Sequence, residues 1–245
     1  SLPVQLTYEG ELNAEGILSS TRKQSTVFGT MEGGLRIVNA HDGVEQMVFV
    51  PGEILLSDSS QQALKPDQSN STGMTSGVDA PWIADSAYLA ETSTTNDVAT
   101  TVMKASRMNI YGGMRMGGSS YYGLDVLDPK NAKFLFRIGK DLNAFSRMGQ
   151  SWSKPIIANI KYAGKIRRVM IVGGGYDMCY EDPRFTLKST GTNDSCGTKT
   201  KAQGNAVYIV DALTGERLWW TSDTGSNLNH ADLKHSIVSG ISTAD

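Results

Sequence analysis

Few residues in this 245-residue chain have the types and spacing that chemistry requires. The three histidines are His41, His230 and His235; the last two are five positions apart, without the adjacent glutamate of the H-E-x-x-H zinc motif. No serine, histidine and aspartate constellation can be argued from sequence order. We therefore expect the histidines to lie in surface loops, and we expect the chain to have no catalytic activity of its own.

The two cysteines are Cys179, directly before a polar insertion over residues 180–201, and Cys196 within it; the insertion is rich in Thr, Ser, Asn, Asp and Gly. Two cysteines do not supply the four ligands of a structural zinc site. A disulfide that closes a loop of this length stabilises a protein by about 3 kcal/mol. The alternative is a pair of unpaired thiols in a cytosolic loop. We predict the disulfide, because the insertion has little apolar material to order it, and a disulfide indicates an oxidising compartment.

Composition excludes several classes of partner. The formal net charge is -2, and the 23 basic residues are scattered without a cluster, so nucleic acid and anionic membrane surfaces are not expected partners. No run of 18 apolar residues is present, which predicts no membrane span. The first ten residues show no signal peptide. We expect Ser1 and Asp245 to be internal points of a longer, secreted protein.

Short β-branched and aromatic runs bounded by Gly, Asp and Asn predict an all-β fold. Three copies of one pattern recur, in which two runs flank a Gly-rich turn and a third follows an Asp or Asn turn. They cover residues 26–29, 33–40, 42–43 and 47–50; 109–113, 121–126, 128–129 and 134–138; and 169–175, 206–212, 214–215 and 218–220. Such internal repetition is typical of β-propellers and solenoids.

A shorter echo occurs at residues 80–85, 154–159 and 235–240. Joining each echo to the runs that follow gives four short antiparallel strands per unit, which is the sheet of a propeller blade. We predict one partial β-propeller domain over residues 1–245, with units at about 1–79, 80–152 and 153–234, and the start of another at 235–245. The first unit is expected to lack its first strand, so the ring is incomplete.

Residues 210–219 resemble the repeat of quinoprotein-like propellers, in which a D-A-x-T-G turn precedes a docking tryptophan. In this interpretation Asp211 caps the turn, Thr214 and Gly215 supply its backbone angles, and Trp219 seals the gap to a neighbouring blade. The repeat indicates a fold and not a function, because enzymes, scaffolds and adhesins share it.

A narrower resemblance covers most of the chain. The order of residues 26–51, 121–129, 152–156, 172–177 and 206–215 resembles the C-terminal propeller of the PilC/PilY family, proteins associated with the tip and biogenesis of type IV pili. The resemblance implies a cell-surface protein at the pilus tip that passes through the periplasm and outer membrane. It implies minor pilins or other pilus components, and a host or abiotic surface ligand, as partners.

The same family often carries a Ca²⁺ loop of alternating Asp and Asn after a segment like residues 239–245. At most its first acidic residue, Asp245, is present in this chain. The resemblance therefore implies Ca²⁺ in a full-length protein and no cofactor within these residues.

The competing function is a quinone-dependent (PQQ) dehydrogenase, which shares the propeller repeat and binds its cofactor with Ca²⁺ on the propeller axis. This chain has no vicinal cysteine pair to place against a quinone. We expect binding through loops at the blade rim, namely residues 91–101 and 179–196. Tyr176 and Asp177 are interpreted as a turn, and Arg167 and Arg168 as charges guarding a strand edge.

Overall fold

The computed structural model describes residues 1–13, 15–56, 76–95 and 98–243, and these residues are predominantly β, as predicted. The first unit contains β1 (Val4–Leu12), β2 (Leu18–Gly29), β3 (Leu35–Asn39), β4 (Glu45–Phe49) and the short helix α1 (Gly52–Leu56). The second contains β5 (Trp82–Thr95), β6 (Val98–Gly113), β7 (Ser120–Asp125) and β8 (Lys133–Gly139). The third contains β9 (Ile156–Tyr162), β10 (Lys165–Gly173), β11 (Ala206–Asp211), β12 (Arg217–Ser222) and β13 (Leu228–Asn229).

Within each unit the first four strands form an antiparallel meander, so β1 to β4, β5 to β8 and β9 to β12 pair in sequence order. The first two units are one eight-stranded sheet, because β1 also pairs with the first half of β6, from Glu9 opposite Lys104 to Leu12 opposite Thr101. The third unit is a separate five-stranded sheet that ends on β13.

Two details of the predicted repeat are corrected. The first unit does not lack a first strand, because β1 pairs with β2 from Val4 opposite Val27 to Leu12 opposite Leu18. The echo at residues 235–240 is not a strand, although its backbone contacts the third unit through the N–H of Gly175, which donates to Ile237 O at 2.9 Å.

Two apolar cores lie on opposite faces of the second unit. Ile110 and Tyr122 belong to the core shared with the first unit, whereas their neighbours Tyr111 and Tyr121 belong to the core shared with the third. Adjacent residues of a strand point to opposite faces, so β6 and β7 can serve both cores at once. Each unit thus buries its apolar side chains against the next one along the chain.

A glycine ends the second strand of every unit where another backbone passes in contact. A Cβ on Gly29 would lie 1.8 Å from Val78 O, one on Gly113 would lie 2.5 Å from Ser151 O, and one on Gly173 would lie 2.6 Å from Ile237 O. The same packing device therefore joins each unit to the segment that follows it.

Aromatic residues of the last strand pack against the following unit in two cases. Phe49 of β4 meets Tyr122 edge-on at 5.3 Å between ring centroids, and Phe136 of β8 lies 6.1 Å from Tyr111 and against Gly215 of the third unit. Trp219 of β12 lies opposite Ile209 of β11 and is half-buried. Its docking against a further blade stays a prediction.

Arg167 and Arg168 do not guard a strand edge, because β10 is paired on both sides. The Arg168 guanidinium instead forms a bidentate ion pair with the buried carboxylate of Asp85 in the second unit, donating through Nε and Nη2. Arg167 pairs with Asp211 at 3.3 Å. Both arginines therefore neutralise buried carboxylates, which are costly to leave unpaired.

Candidate functional site: the cysteine loop and the hairpin arm

Two polar segments project from the sheets. The first, here called the cysteine loop, is residues 176–205 between β10 and β11. The second, here called the hairpin arm, is residues 86–95 of β5 with residues 98–107 of β6. Each segment was predicted to contain a rim loop, and the two differ in how they are ordered.

Glycines hold the base of the cysteine loop. Gly175 has φ +103° and Gly204 has φ +80°, a region that side-chain-bearing residues rarely adopt. A Cβ on Gly204 would lie 2.1 Å from Gly175 O, and one on Gly175 would lie 2.0 Å from Gln150 O. The outgoing and returning chains therefore cross in direct backbone contact, and residues with side chains would keep them apart.

Asp177 fastens the two ends of the loop to each other. Its side chain is 4% exposed and accepts hydrogen bonds from the N–H of Cys179 at 3.0 Å and the N–H of Gln203 at 2.6 Å. The Lys199 ammonium donates to the same carboxylate. Burial alone would raise the pKa of Asp177, but the Lys199 hydrogen bond and the two backbone donors outweigh it and hold the pKa below its usual value. Tyr176 and Asp177 were interpreted from sequence as a turn, but Tyr176 forms a β-bridge with Gln150 and Asp177 caps the 3-10 helix Met178–Glu181. Asp177 therefore anchors the loop four residues beyond the end of β10.

A disulfide joins Cys179 to Cys196, with 5.5 Å between their Cα atoms. Cys179 lies in a short 3-10 helix, Met178–Glu181, and Cys196 opens another, Cys196–Thr198. Asn193, which precedes the second helix, accepts through Oδ1 from the N–H groups of Thr200 and Lys201, which follow that helix. The cross-link and these bonds order a stretch that contributes little to the apolar cores.

A row of aromatic rings lines the root of the cysteine loop. Trp152 and Tyr176 are 5.0 Å apart, Tyr176 and Tyr180 are 6.3 Å apart, and Tyr180 meets Phe185 edge-on at 4.9 Å. The Tyr180 hydroxyl is hydrogen-bonded to Nδ1 of His235 at 2.8 Å. These contacts join the loop to the segment before β9 and to the segment after β13.

A cavity of about 360 Å³ lies beside the disulfide. Met178 and Phe185 give it apolar walls, while Arg184 and Lys188 bring positive charge to its edge. Arg184 pairs with Asp182, and Lys188 is exposed. The cysteine loop thus places the charged side chains of Asp182, Arg184 and Lys188 around an apolar surface.

The hairpin arm is a strand pair over most of its length. The predicted loop at residues 91–101 was wrong in this respect, because β5 and β6 pair from Trp82 opposite Gly112 to Thr95 opposite Val98. Threonine and other β-branched residues favour strands, which explains how a Ser/Thr-rich segment extends the sheet. Lys104 and Glu91 form an ion pair between the two strands of the arm. The Tyr88 hydroxyl donates to Thr7 O at 2.9 Å, and this hydrogen bond connects the arm to β1.

The turn of the predicted propeller repeat is tightly bonded. Asp211 Oδ1 accepts from the N–H groups of Leu213 at 2.9 Å and Thr214 at 3.1 Å. Thr214 Oγ1 accepts from Glu216 N, and Gly215 has φ +71°. Asp211 therefore caps this turn and is in addition paired with Arg167.

His41, His230 and His235 are all exposed. Within the described ranges no group of three or more His, Cys, Asp or Glu side chains is arranged to hold a metal ion. Asp245, the predicted start of a Ca²⁺ loop, lies outside the described residues. None of the helices in the described part of the chain is long and apolar enough to cross a bilayer.

Sequence reasoning missed Lys199, Gln203 and Gly204, which lie 22, 26 and 27 positions after Asp177. Their roles depend on the return of the chain to its starting point. Among the contacts that order this polar insertion, only the disulfide could be inferred from the sequence, because the two cysteines mark it.

No family model matches the sequence, and no curated protein matches it. Among solved structures the chain is similar to the crystal structure of the Pseudomonas aeruginosa PilY1 C-terminal domain, with a TM-score of 0.48 and 20% sequence identity. The similarity covers 84% of this chain and 31% of that one. The chain therefore spans less than a third of the length of that structure.

Proposed function

We propose that this chain is a non-catalytic binding platform of a protein associated with the tip and biogenesis of type IV pili. In this proposal the three units are neighbouring blades of a β-propeller, and their rigid framework presents the cysteine loop and the hairpin arm to partners. Partners would be minor pilins or other pilus components, together with a host or abiotic surface.

The observation that carries the proposal is the construction of the cysteine loop. A polar segment of this length is ordered by a disulfide, a buried Asp177 to Lys199 ion pair and crossing glycines, and yet it exposes Lys188 and Arg184. Binding residues are commonly carried by loops that a rigid scaffold positions. The disulfide supports an extracellular location, because such bonds persist in oxidising compartments.

The family motifs support the pilus assignment. The Y-Y-x-L-D-V-x-D-P segment, which begins with Tyr121 and Tyr122, resembles a motif of that family. Tyr122 is buried in the core shared with the first unit, and Tyr121 in the core shared with the third. The motif therefore carries the framework, and the loops carry the contacts.

Deletion of the gene in the source organism tests the proposal. We expect loss of surface pili and of adherence, with both restored by the wild-type gene. Complementation with Arg184→Glu and Lys188→Glu together should restore pili and leave adherence several-fold reduced, since these charges lie on the loop surface and outside the Asp177 anchor. Lys140→Glu, which is also an exposed charge reversal, should restore both. Normal pili and adherence in the deletion strain would refute the proposal.

A further inference from the structure

We propose that the polar groove between the first and second units binds a neutral saccharide. This groove is separate from the cysteine loop and has a volume of about 730 Å³. One wall is residues 20–25 of β2, with Asn39, His41 and Gln46 beside them, and the opposite wall is the turn at residues 127–129. Tyr8 of β1 also lines it. Pockets that hold small ligands commonly enclose about 300–1,000 Å³.

Each glutamine amide of the groove has one hydrogen-bonded atom and one polar atom without a hydrogen bond in the described part of the chain. Gln24 donates through Nε2 to Thr7 Oγ1 at 2.9 Å, so its Oε1 remains as an acceptor. Gln46 accepts through Oε1 from Ser25 Oγ at 2.6 Å, so its Nε2 group remains as a donor. Among the described residues no hydrogen bond occupies either of these remaining groups. Because the anchors fix both amides, a ligand loses less of its binding energy to ordering them.

Asn39 is anchored in the same manner. Its Oδ1 accepts from the N–H groups of His41 at 2.8 Å and Asp42 at 3.4 Å in the β3–β4 turn. These bonds fix the side-chain amide and leave its Nδ2 group as a donor. The three amides together offer an acceptor and two donor groups along one wall. A sugar diol has matching needs, since every hydroxyl both donates and accepts.

Apolar surface completes the match to a sugar ring, which has C–H faces as well as hydroxyls. Leu127 is 40% exposed and follows the buried β7 strand, and Pro129, two residues further along the same turn, also lines the groove. The Tyr8 hydroxyl is buried and has no hydrogen-bond partner among the described residues. Its ring adds a further flat surface at the groove.

The charges of the groove are engaged by their own neighbours. Lys23 pairs with Glu9 at 3.0 Å, and Arg22 donates to the carbonyl oxygens of Ser19 and Leu18. Asp128 accepts from Asn131 Nδ2 and from Lys130 N–H, and the Asn131 hydrogen bond is the main cause of its lowered pKa. A phosphate or sulfate ligand would call for free N–H donors in fork geometry, whereas the Nε and Nη2 groups of Arg22 are already bonded to carbonyl oxygens. The groove therefore favours an uncharged, polyhydroxylated ligand.

The test is saturation-transfer NMR on the folded chain with neutral di- and trisaccharides built from glucose, galactose and N-acetylglucosamine. At least one should receive saturation, and calorimetry should then give its Kd. Gln46→Glu keeps the acceptor for Ser25 and removes the donor, so binding should weaken about five- to tenfold. Gln5→Glu makes the same change at an exposed glutamine of β1 outside the groove and should leave the Kd unchanged.

Gln24→Glu serves as a second variant, and thermal unfolding confirms that each variant is folded. The proposal is overturned if no saccharide of the panel binds at millimolar concentration. It is also overturned if both groove variants, folded, bind like wild type, or if an extended peptide and not a saccharide occupies the groove. Adherence through the cysteine loop is unaffected by any of these outcomes, so the two proposals fail separately.

Discussion

The hairpin arm and the cysteine loop are both polar, and both project from the same framework. The arm is ordered by repeating backbone hydrogen bonds, because β5 and β6 continue their pairing to residues 95 and 98 and β1 pairs with β6 from Glu9 to Leu12. The cysteine loop has no such ladder between residues 178 and 205. Its order comes from a few strong constraints at its base, namely a disulfide, an ion pair and two crossing glycines.

The difference shows two ways to order a segment that buries little apolar surface. A ladder distributes its stability over many equivalent bonds, so that removing one changes little. A stapled loop concentrates its stability in a few positions, so that removing one releases much of the loop. The cysteine loop should therefore be far more sensitive to single substitutions than the arm.

The largest effect is expected for Gly204→Ala. Its φ of +80° and the 2.1 Å approach of Gly175 O leave no room for a methyl group, so the crossing must open. The free energy of unfolding should fall by about 3–5 kcal/mol, measured by chemical denaturation. Gly197→Ala in the same loop, where the nearest atom is Ser195 Oγ at 4.0 Å, should change it by less than about 0.5 kcal/mol. Equal effects of the two substitutions would contradict the role of the crossing.

Removing the disulfide should have the next largest effect. Replacing Cys179 and Cys196 together by serine should lower the free energy of unfolding by about 3 kcal/mol, because the unfolded chain regains the freedom of the closed loop. Hydrogen exchange should become faster at amides 179–200 and stay unchanged at amides 99–105 of the arm. Faster exchange in both regions would show that the arm depends on the loop, and would break the comparison.

The smallest expected effect is a difference in acid sensitivity between two carboxylates. The folded-state pKa of Asp177 lies below its ordinary 3.8, so its contribution is present above about pH 4 and is lost as the pH falls through the folded pKa. Asp177→Asn should therefore flatten the dependence of stability on pH below that point. Glu91→Gln, which removes an exposed ion pair of the arm, should leave the curve as in wild type. Thermal unfolding from pH 2 to pH 7 measures both.

The strands of the repeated units could be predicted from local patterns. β11, for example, is a run of β-branched and aromatic residues that ends on Asp211, and its turn residues follow directly. The disulfide could be predicted because two isolated cysteines share one polar insertion. In these cases neighbouring residues carry the whole signal.

Features that depend on distant pairing were not predictable in the same way. β1 pairs with residues of β6 that lie 89 to 95 positions further along, and nothing in the local pattern of β1 marks this partner. The anchor of Asp177 depends on Lys199, and the groove depends on Gln24 and Gln46 facing a turn of the next unit. Such contacts arise from topology, and a single sequence reveals them only when the fold is known.

The pairing of β1 with β6 has a mechanical consequence. Four residue pairs, from Glu9 opposite Lys104 to Leu12 opposite Thr101, join the first unit to the second at a point beyond the core they share. A tensile load applied along these strands shears all the rungs at once, whereas a load applied across them opens the rungs one after another. Survival under load depends on the rate of unfolding rather than on equilibrium stability. The first two units should therefore resist pulling along the arm much longer than pulling across it.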